Sequence, residues 1–167
     1  MDFFLLRHGI AVERGEFGSA NDGLRPLTAK GRRQLRQTCG ALRKLKLEFE
    51  LILSSPLVRA RQTAEIVATE LKLKKRLAFA DDLKPGGSPK KLVEKISRQH
   101  PAAKKILLVG HEPDLSRLIS LLVTGEPGLP LEFKKGGLAK LEIEELRAGK
   151  CAVLAWLLTP KQMKLMS

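Results

Sequence analysis

Short apolar segments alternate with longer amphipathic segments along the first two thirds of the chain. The segments 3–6, 51–53 and 106–109 are short and apolar, which is typical of buried strands in a parallel sheet. Near the end of the chain, LAKLEIEEL (138–146) alternates apolar and charged residues, and CAVLAWLL (151–158) follows a Gly-containing turn. This change of period predicts a C-terminal antiparallel hairpin.

The segments between the predicted strands carry apolar residues at helical spacing. They predict a helix over 28–46, a second from Pro56 with Ser55 as its N-cap, a third from Pro89 and a fourth from Pro113. No linker or repeat divides the chain, so we expect one α/β domain spanning 1–167, with a mostly parallel central sheet and helices on both faces. Loops are expected at 15–26, 84–89 and 124–137.

Three short polar motifs follow the predicted parallel strands directly. They are RHG (7–9), SSP (54–56) with Arg59 one turn further, and GHEP (110–113). Ligands of open α/β sheets bind beyond the carboxyl ends of the strands, so the three motifs are expected to share one crevice. Gly9 is expected to give the backbone the freedom to leave the strand at that point.

Two arginines and two histidines around one crevice suit a phosphoryl group. The guanidinium groups of Arg7 and Arg59 match phosphate oxygens and keep their charge. A neutral imidazole, from His8 or His111, can attack phosphorus in line while the cations hold the spreading negative charge. The chain has no Gly-x-x-x-x-Gly-Lys loop and no acidic cluster for magnesium, so we expect a reaction without metal or cofactor.

The composition is strongly basic. Lys and Arg number 31 against 18 Asp and Glu, for a net charge of +13, and such a surface attracts anionic partners. With six Phe, one Trp and no Tyr, aromatic platforms for stacking single-stranded nucleic acid are scarce. The positive charge is therefore better explained by solvated helix faces or by an acidic protein partner than by binding of nucleic acid.

Cysteines and apolar runs indicate the compartment. The two cysteines lie far apart without metal-ligand spacing, which is typical of the reducing cytosol. The first apolar run is too short for a signal peptide, and the longest, 152–158, is too short to span a bilayer. We expect a cytoplasmic protein without a membrane segment, and the sequence leaves its oligomeric state open.

The ordered motifs resemble the histidine phosphatase superfamily, with its phosphoglycerate mutase-like fold, and within it the short SixA-type phosphohistidine phosphatases. The similar segments are spread over nearly the whole chain and read LLRHGIA, RPLTAKG, LSSPLVRARQTAEI and LLVGHEPDLS. RHG alone recurs by chance, whereas the ordered set is specific.

The resemblance implies a role for each matching residue. His8 matches the nucleophile, which takes the phosphoryl group as a covalent phosphohistidine. Arg7 and Arg59 match the arginines that clamp the phosphate, and His111 matches the second histidine, which stabilises the transferring group. Arg25 resembles an arginine at the rim of the pocket that binds substrate.

The sequence assigns no general acid with certainty. Where larger members of the superfamily place a carboxylate, the segment 82–87 has Lys84 and Pro85, which leaves Glu112 and Asp22 as the candidates. A departing imidazole, whose conjugate acid has a pKa of about 6.5, needs less protonation than an alkoxide. The pattern therefore favours a P–N substrate, phosphohistidine on a protein.

Three functions stay open at this level. The first is removal of phosphate from phosphohistidine on a signalling or phosphocarrier protein with an acidic surface. The second is hydrolysis of small phosphoesters such as sugar or nucleotide phosphates, with Glu112 or Asp22 as the acid. The third is a basic nucleic-acid-binding module on an inactive phosphatase-like fold, which would leave the four pocket residues unused.

Overall fold

The structure, a computed structural model, describes residues 1–16 and 21–167. Within those residues the chain forms six strands and five α-helices, joined by loops and short 3-10 turns. Residues 17–20, part of the loop predicted at 15–26, lie outside the described residues. In chain order the elements are β1 (Asp2–Arg7), α1 (Ala29–Lys44), β2 (Leu51–Ser54), α2 (Val58–Glu70), β3 (Leu77–Phe79), α3 (Pro89–Gln99), β4 (Lys105–Gly110), α4 (Asp114–Thr124), β5 (Leu138–Ile143), β6 (Ala152–Leu158) and α5 (Pro160–Met166).

The six strands form one sheet in the order β3-β2-β4-β1-β5-β6. The pairs β3–β2, β2–β4 and β4–β1 are parallel, whereas β5 is antiparallel to both β1 and β6. The prediction of a single α/β domain with a mostly parallel sheet and a C-terminal antiparallel pair is confirmed. The register places Arg7 beside Gly110 and Ser54 beside Val109, so β1, β4 and β2 end at the same edge.

Successive residues of β1 point to opposite faces of the sheet. Phe3 and Leu5 pack in one buried cluster with α3 and α4, while Phe4 and Leu6 pack in a second with α1, α2 and α5. Helices therefore cover both faces, and the domain has three layers. Within the described residues, no helix has the length and apolar character needed to cross a bilayer.

The second helix begins later than the sequence predicts. Its first residue is Val58 and its N-cap is Leu57, so Pro56 is not at the first helical position and Ser55 is not the cap. The Ser55 amide instead donates to the Val109 carbonyl oxygen at 3.0 Å. This hydrogen bond extends the pairing with β4 past the end of β2 and delays the start of the helix.

Two other predicted helix starts are confirmed. The Thr28 side chain accepts from the Gly31 amide and caps α1, and the Ser88 side chain accepts from the Lys91 amide and caps α3. Helix α1 ends at Lys44, two residues before the predicted end.

Two elements are present that the sequence pattern did not predict. Strand β3 has only three residues and pairs with β2 at the sheet edge. Helix α5 begins with a capping box, in which Thr159 and Gln162 exchange hydrogen bonds, and it buries Met163 against the second cluster. The spacing Thr-Pro-x-Gln is a sequence signal for such a start, so α5 was predictable. Strand β3 has no such local signal, because it forms by pairing with β2.

Candidate active site

The predicted motifs meet at the edge where β1, β4 and β2 end. The His8 amide donates to the Gly110 carbonyl oxygen at 3.1 Å, which continues the pairing of β1 with β4 past the strand. The rings of His8 and His111 lie with centroids 5.1 Å apart and planes at 54°. Both residues are buried, with 6% and 2% of their surface exposed, so the two rings are held inside the protein.

Two hydrogen bonds fix the tautomer and orientation of the His8 ring. Nδ1 lies 2.8 Å from the Gly9 carbonyl oxygen, and because a carbonyl only accepts, Nδ1 carries the proton. Nε2 therefore carries no proton, and its lone pair accepts from Arg59 Nε at 3.2 Å. The ring is presented in the form that a nucleophile needs.

Gly9 is required by close packing. A Cβ at this position would lie 2.8 Å from Leu35 Cδ1 and 3.3 Å from Leu27 Cδ2. The φ of Gly9 is outside the left-handed region, so the expectation that it supplies unusual backbone freedom is wrong. The glycine instead allows the loop after β1 to lie directly on α1.

Arg59, the second residue of α2, is only 4% exposed. Its Nη1 donates to the Asp22 carbonyl oxygen at 2.7 Å and its Nη2 to Asp22 Oδ2 at 2.9 Å. The Arg59 carbonyl oxygen accepts from Thr63 Oγ1 at 2.7 Å, and that hydroxyl accepts from the Gly9 amide at 3.1 Å. Thr63 thus joins helix α2 to the loop after β1, and its sequence signal is its place one helical turn after Arg59.

Arg7 is held by the turn at 133–137. Its Nη1 donates to the Phe133 carbonyl oxygen at 2.6 Å, and the Gly136 amide lies 3.0 Å and 3.1 Å from the carbonyl oxygens of Arg7 and His8. The sequence did not indicate this turn as part of the site, because it contributes backbone groups that any residue carries.

His111 has one partnered and one unpartnered ring nitrogen. Nε2 lies 2.9 Å from Ser55 Oγ, and a hydroxyl can donate or accept. Nδ1 is buried and has no hydrogen-bond partner among residues 1–16 and 21–167. When Ser55 donates to Nε2, Nδ1 carries the proton and becomes a donor in need of an acceptor.

The pocket contains buried side-chain nitrogens that have no hydrogen-bond partner among the described residues. Arg7 Nε and His111 Nδ1 are two of the four buried side-chain N and O atoms that lack a partner in the part of the chain that the structure describes. Buried polar groups nearly always have partners, and guanidinium and imidazole N–H groups match phosphoryl oxygens. The arrangement can therefore bind a phosphoryl group next to His8. Residues 1–16 and 21–167 contain no group of three or more His, Cys, Asp or Glu that could hold a metal ion.

Burial and nearby cations keep both histidines neutral. Burial is the main cause that lowers the pKa of His8 to about 3, and it outweighs the hydrogen bond to Gly9, while His111, Arg59 and Arg7 lower the pKa further. Burial also lowers the pKa of His111 to about 4, with Arg59 as the next cause. At neutral pH, the Nε2 lone pair of His8 is available for attack.

Asp22 joins Arg25 to Arg59. Arg25 Nε and Nη2 lie 2.9 Å and 2.7 Å from Asp22 Oδ1, and Arg25 Nη1 donates to the Val12 carbonyl oxygen at 2.9 Å. Partial burial by itself would raise the pKa of Asp22, but Arg59 and Arg25 together outweigh it and lower the pKa. Asp22 is therefore a carboxylate at neutral pH.

Glu112 lies just before α4 and faces the first turn of that helix. Its Oε1 accepts from the Ser116 amide at 3.0 Å and its Oε2 from the Ser116 hydroxyl at 2.5 Å. In the segment 82–87, Asp82 pairs with Lys95 at 2.6 Å and Lys84 with Asp81 at 2.8 Å. The carboxylates of these segments are thus engaged in contacts of their own.

Several known proteins are similar to this chain in sequence and in fold. The model of the histidine phosphatase superfamily (branch 1) matches residues 3–84. An uncharacterized protein of Picosynechococcus sp. is 40% identical over 142 residues, which cover 84% of each chain. Phosphohistidine phosphatase SixA of Escherichia coli is 29% identical over 168 residues, 99% of this chain and 98% of that one. The structure of the protein histidine phosphatase SixA complexed with tungstate matches with a TM-score of 0.83 at 28% identity, over 96% of this chain and 98% of that one.

Fold and site together define a class of phosphatase in which a neutral histidine at the edge of a parallel sheet is surrounded by arginines. The chain belongs to the histidine phosphatase superfamily, and its similarity to SixA extends over nearly its whole length. Phosphatase activity is supported by both relationships.

Proposed function

We propose that the protein is a protein phosphohistidine phosphatase that works through a covalent phosphohistidine on His8. The observation that carries the proposal is the fixed tautomer of His8, in which Nδ1 donates to the Gly9 carbonyl oxygen and the Nε2 lone pair faces Arg59. The similarity to SixA, which is a phosphohistidine phosphatase, supports the same substrate class.

In the first step, the Nε2 lone pair of His8 gives up its hydrogen bond from Arg59 Nε and attacks phosphorus in line with the leaving group, so that the Arg59 Nε–H group becomes free to donate to a phosphoryl oxygen. The bond from Nε2 to phosphorus forms while the bond from phosphorus to the substrate imidazole breaks, and that electron pair stays on the departing imidazole. Arg7, Arg59 and His111 hold the oxygens over which the negative charge spreads. The hydrogen bond from Nδ1 to Gly9 stabilises the positive charge that develops on the ring.

In the second step, water attacks the phosphorus of phospho-His8 from the side that the first leaving group has vacated. The P–N bond breaks, its electron pair returns to Nε2 and inorganic phosphate leaves. The proton that the water loses passes to solvent. His8 is then again in the neutral form that starts the cycle.

The preference for a P–N bond follows from the state of the two carboxylates. Asp22 is ionised between two arginines, and both Glu112 oxygens accept hydrogen bonds from Ser116. When the substrate phosphohistidine is protonated on its other ring nitrogen, cleavage of the P–N bond releases a neutral imidazole, whose conjugate acid has a pKa of about 6.5. A serine alkoxide would need a proton donor.

An acidic protein surface fits the role of the partner that presents the phosphohistidine. Exposed lysines lie on the two loops beside the pocket, Lys84 on one and Lys134 and Lys135 on the other, and the net charge is +13. Opposite charges speed the encounter of two proteins, and added salt weakens this effect. Both cysteines are unpaired, which supports the reducing cytoplasm as the compartment.

The test compares phosphate release from a phosphocarrier protein phosphorylated on histidine with release from a phosphoserine peptide. We expect release from phosphohistidine to be at least about 100-fold faster, to fall as salt is added, and to disappear in His8→Ala. Faster release from the ester would favour a small-phosphoester phosphatase instead. No release from either substrate, together with tight and salt-sensitive duplex binding, would favour the nucleic-acid-binding module.

A further inference from the structure

The carboxylate of Asp22 contacts two arginines of the pocket, Arg25 and Arg59. Its Oδ2 accepts from Arg59 Nη2 at 2.9 Å, and its backbone carbonyl oxygen accepts from Arg59 Nη1 at 2.7 Å. Its Oδ1 lies 2.9 Å from Arg25 Nε and 2.7 Å from Arg25 Nη2. A third cation, Arg14, lies 3.9 Å from Oδ1 and is largely exposed.

These contacts decide how the Arg59 guanidinium lies. A guanidinium is planar and carries five N–H donors in a fixed arrangement. Two donations to Asp22, one from each Nη atom, set the plane of the group, and in that plane Nε donates to His8 Nε2 at 3.2 Å. Two N–H groups of Arg59 are left for the oxygens of a phosphoryl group.

Asp22 is itself held by its own short segment of chain. The 3-10 turn Asp22–Leu24 is capped by the Asn21 side chain, which accepts from the Gly23 amide at 2.9 Å. Arg25 then ties the end of the turn to the Val12 carbonyl oxygen at 2.9 Å. The carboxylate therefore belongs to a wall of the pocket that backbone and side-chain contacts both fix.

We infer that Asp22 is the positioning residue that orients Arg59 against the nucleophilic nitrogen of His8, and that it is not the proton donor of the reaction. The inference rests on the proposed role of His8 as nucleophile. A carboxylate that accepts from two guanidiniums has no proton to give, and it would weaken both contacts by taking one. The substrate thus meets an Arg59 whose plane Asp22 has already set, and only the hydrogen bond from Nε to His8 Nε2 has to be given up when that lone pair attacks phosphorus.

The dependence on the leaving group separates a positioning residue from a proton donor. Phenyl phosphate releases a phenolate whose conjugate acid has a pKa of about 10, as in tyrosine, whereas the nitro group of p-nitrophenyl phosphate makes its phenolate a much weaker base. Loss of a proton donor slows the phenyl ester far more than the nitrophenyl ester. Loss of a positioning residue slows both equally, because Arg59 acts on the phosphoryl group.

We expect Asp22→Asn to lower kcat/KM for both esters by the same factor of about 10, and Asp22→Ala by about 100. Asp22→Glu keeps the charge and should recover part of the loss. A loss in Asp22→Asn that is confined to phenyl phosphate would overturn the inference.

A second measurement needs no turnover. The chain has three histidines, so the His8 ring can be assigned by NMR and titrated in each variant. In Asp22→Ala, Arg59 keeps the contact from Nη1 to the backbone carbonyl of residue 22 but loses the side-chain contact from Nη2 that fixes its plane. The guanidinium can then rotate away from Nε2, and loss of that hydrogen bond to the neutral ring should raise the pKa of His8 by at least about one unit. The lost negative charge by itself lowers the pKa of a nearby histidine, so an unchanged or lower pKa would overturn the inference.

Asp81→Asn is the matched control. It removes the same charge from a carboxylate that is 77% exposed and pairs with Lys84 in a neighbouring loop, so neither the ratio of the two esters nor the pKa of His8 should change. A failure of the inference about Asp22 can be told apart from a failure of the proposed function. That failure would appear as turnover that survives in His8→Ala, while the His8 titration would still report on Asp22.

Discussion

The two histidine loops of the pocket occupy equivalent places in the fold but differ in their hydrogen bonds. His8 follows β1 and His111 follows β4, and these are neighbouring parallel strands whose ends are level. Both ring nitrogens of His8 have partners, the Gly9 carbonyl oxygen and Arg59, whereas in the described part of the chain His111 has a partner at Nε2 and none at Nδ1.

This difference shows how one pocket gives two roles to the same kind of side chain. The ring with two partners has a fixed tautomer and a directed lone pair, which suits a nucleophile. When Ser55 donates to Nε2, the Nδ1–H group of the other ring can donate to an oxygen that enters the pocket, which suits a group that holds the ligand. The roles come from the neighbours, since a guanidinium faces His8 and a hydroxyl faces His111.

The largest expected effect comes from removing each ring in turn. His8→Ala should lower kcat at least about 1,000-fold, because it deletes the nucleophile, whereas His111→Ala should lower kcat about 100-fold, because other donors still hold the phosphoryl group. Single-turnover assays with an alkaline quench measure both the rate and the phosphoenzyme. Phosphoenzyme that forms normally in His8→Ala would reverse the assignment of the two rings.

Arg59→Lys tests the charged partner of His8. Lysine keeps the charge but carries its donors on a single nitrogen, so it cannot reproduce the planar set of contacts to His8 and to both Asp22 oxygens. We therefore expect kcat/KM to fall about 100-fold. Steady-state kinetics check this, with Arg61→Lys as the control because Arg61 is half-exposed and pairs with Glu65 at 3.8 Å. Equal activity in the two lysine variants would show that charge alone suffices beside His8.

The pH dependence of folding tests whether both rings are neutral. The pKa is about 3 for His8 and about 4 for His111 in the folded protein, against an ordinary value of 6.5. As the pH falls below about 6.5, the unfolded chain takes up protons that the folded pocket does not, so the free energy of unfolding decreases; above that pH the contribution is constant. We expect a loss of about 2 kcal/mol for each histidine between about pH 7 and about pH 5.

Denaturant unfolding at several pH values measures this loss. His111→Gln should remove about half of the pH dependence, whereas His100→Gln, at the C-terminal end of α3, should leave it in place. A free energy of unfolding that is constant over this pH range would contradict the description of two neutral rings.

The smallest expected effect is at the hydroxyl that faces His111. Ser55→Ala removes the partner of Nε2 and leaves the proton free to sit on either ring nitrogen, so we expect kcat to fall less than about tenfold. Nδ1 is then no longer fixed as a donor, but the other donors of the pocket remain, so the fall in kcat/KM for the phosphorylated protein should also stay below about tenfold. A fall in kcat/KM as large as that in Arg59→Lys would mean that the two rings depend equally on their partners.

The sequence predicted the architecture where the pattern of apolar residues within a segment is enough to define a strand or a helix. Apolar segments of strand length alternate with amphipathic segments, and this pattern gives both the parallel sheet and the helices on its two faces. It failed at β3, whose three residues become a strand only by pairing with β2. It also misplaced the start of α2, because the Ser55 amide pairs with the distant Val109.

The sequence by itself determined which residues lie at the ends of the parallel strands, because strand direction and side-chain alternation follow from local patterns. His8 and His111 were therefore predictable as neighbours. Only the tertiary structure decided what each of them contacts. The Asp22 link between Arg25 and Arg59, and the backbone carbonyl that holds Arg7, join segments far apart in sequence, and no local pattern fixes the distance between them.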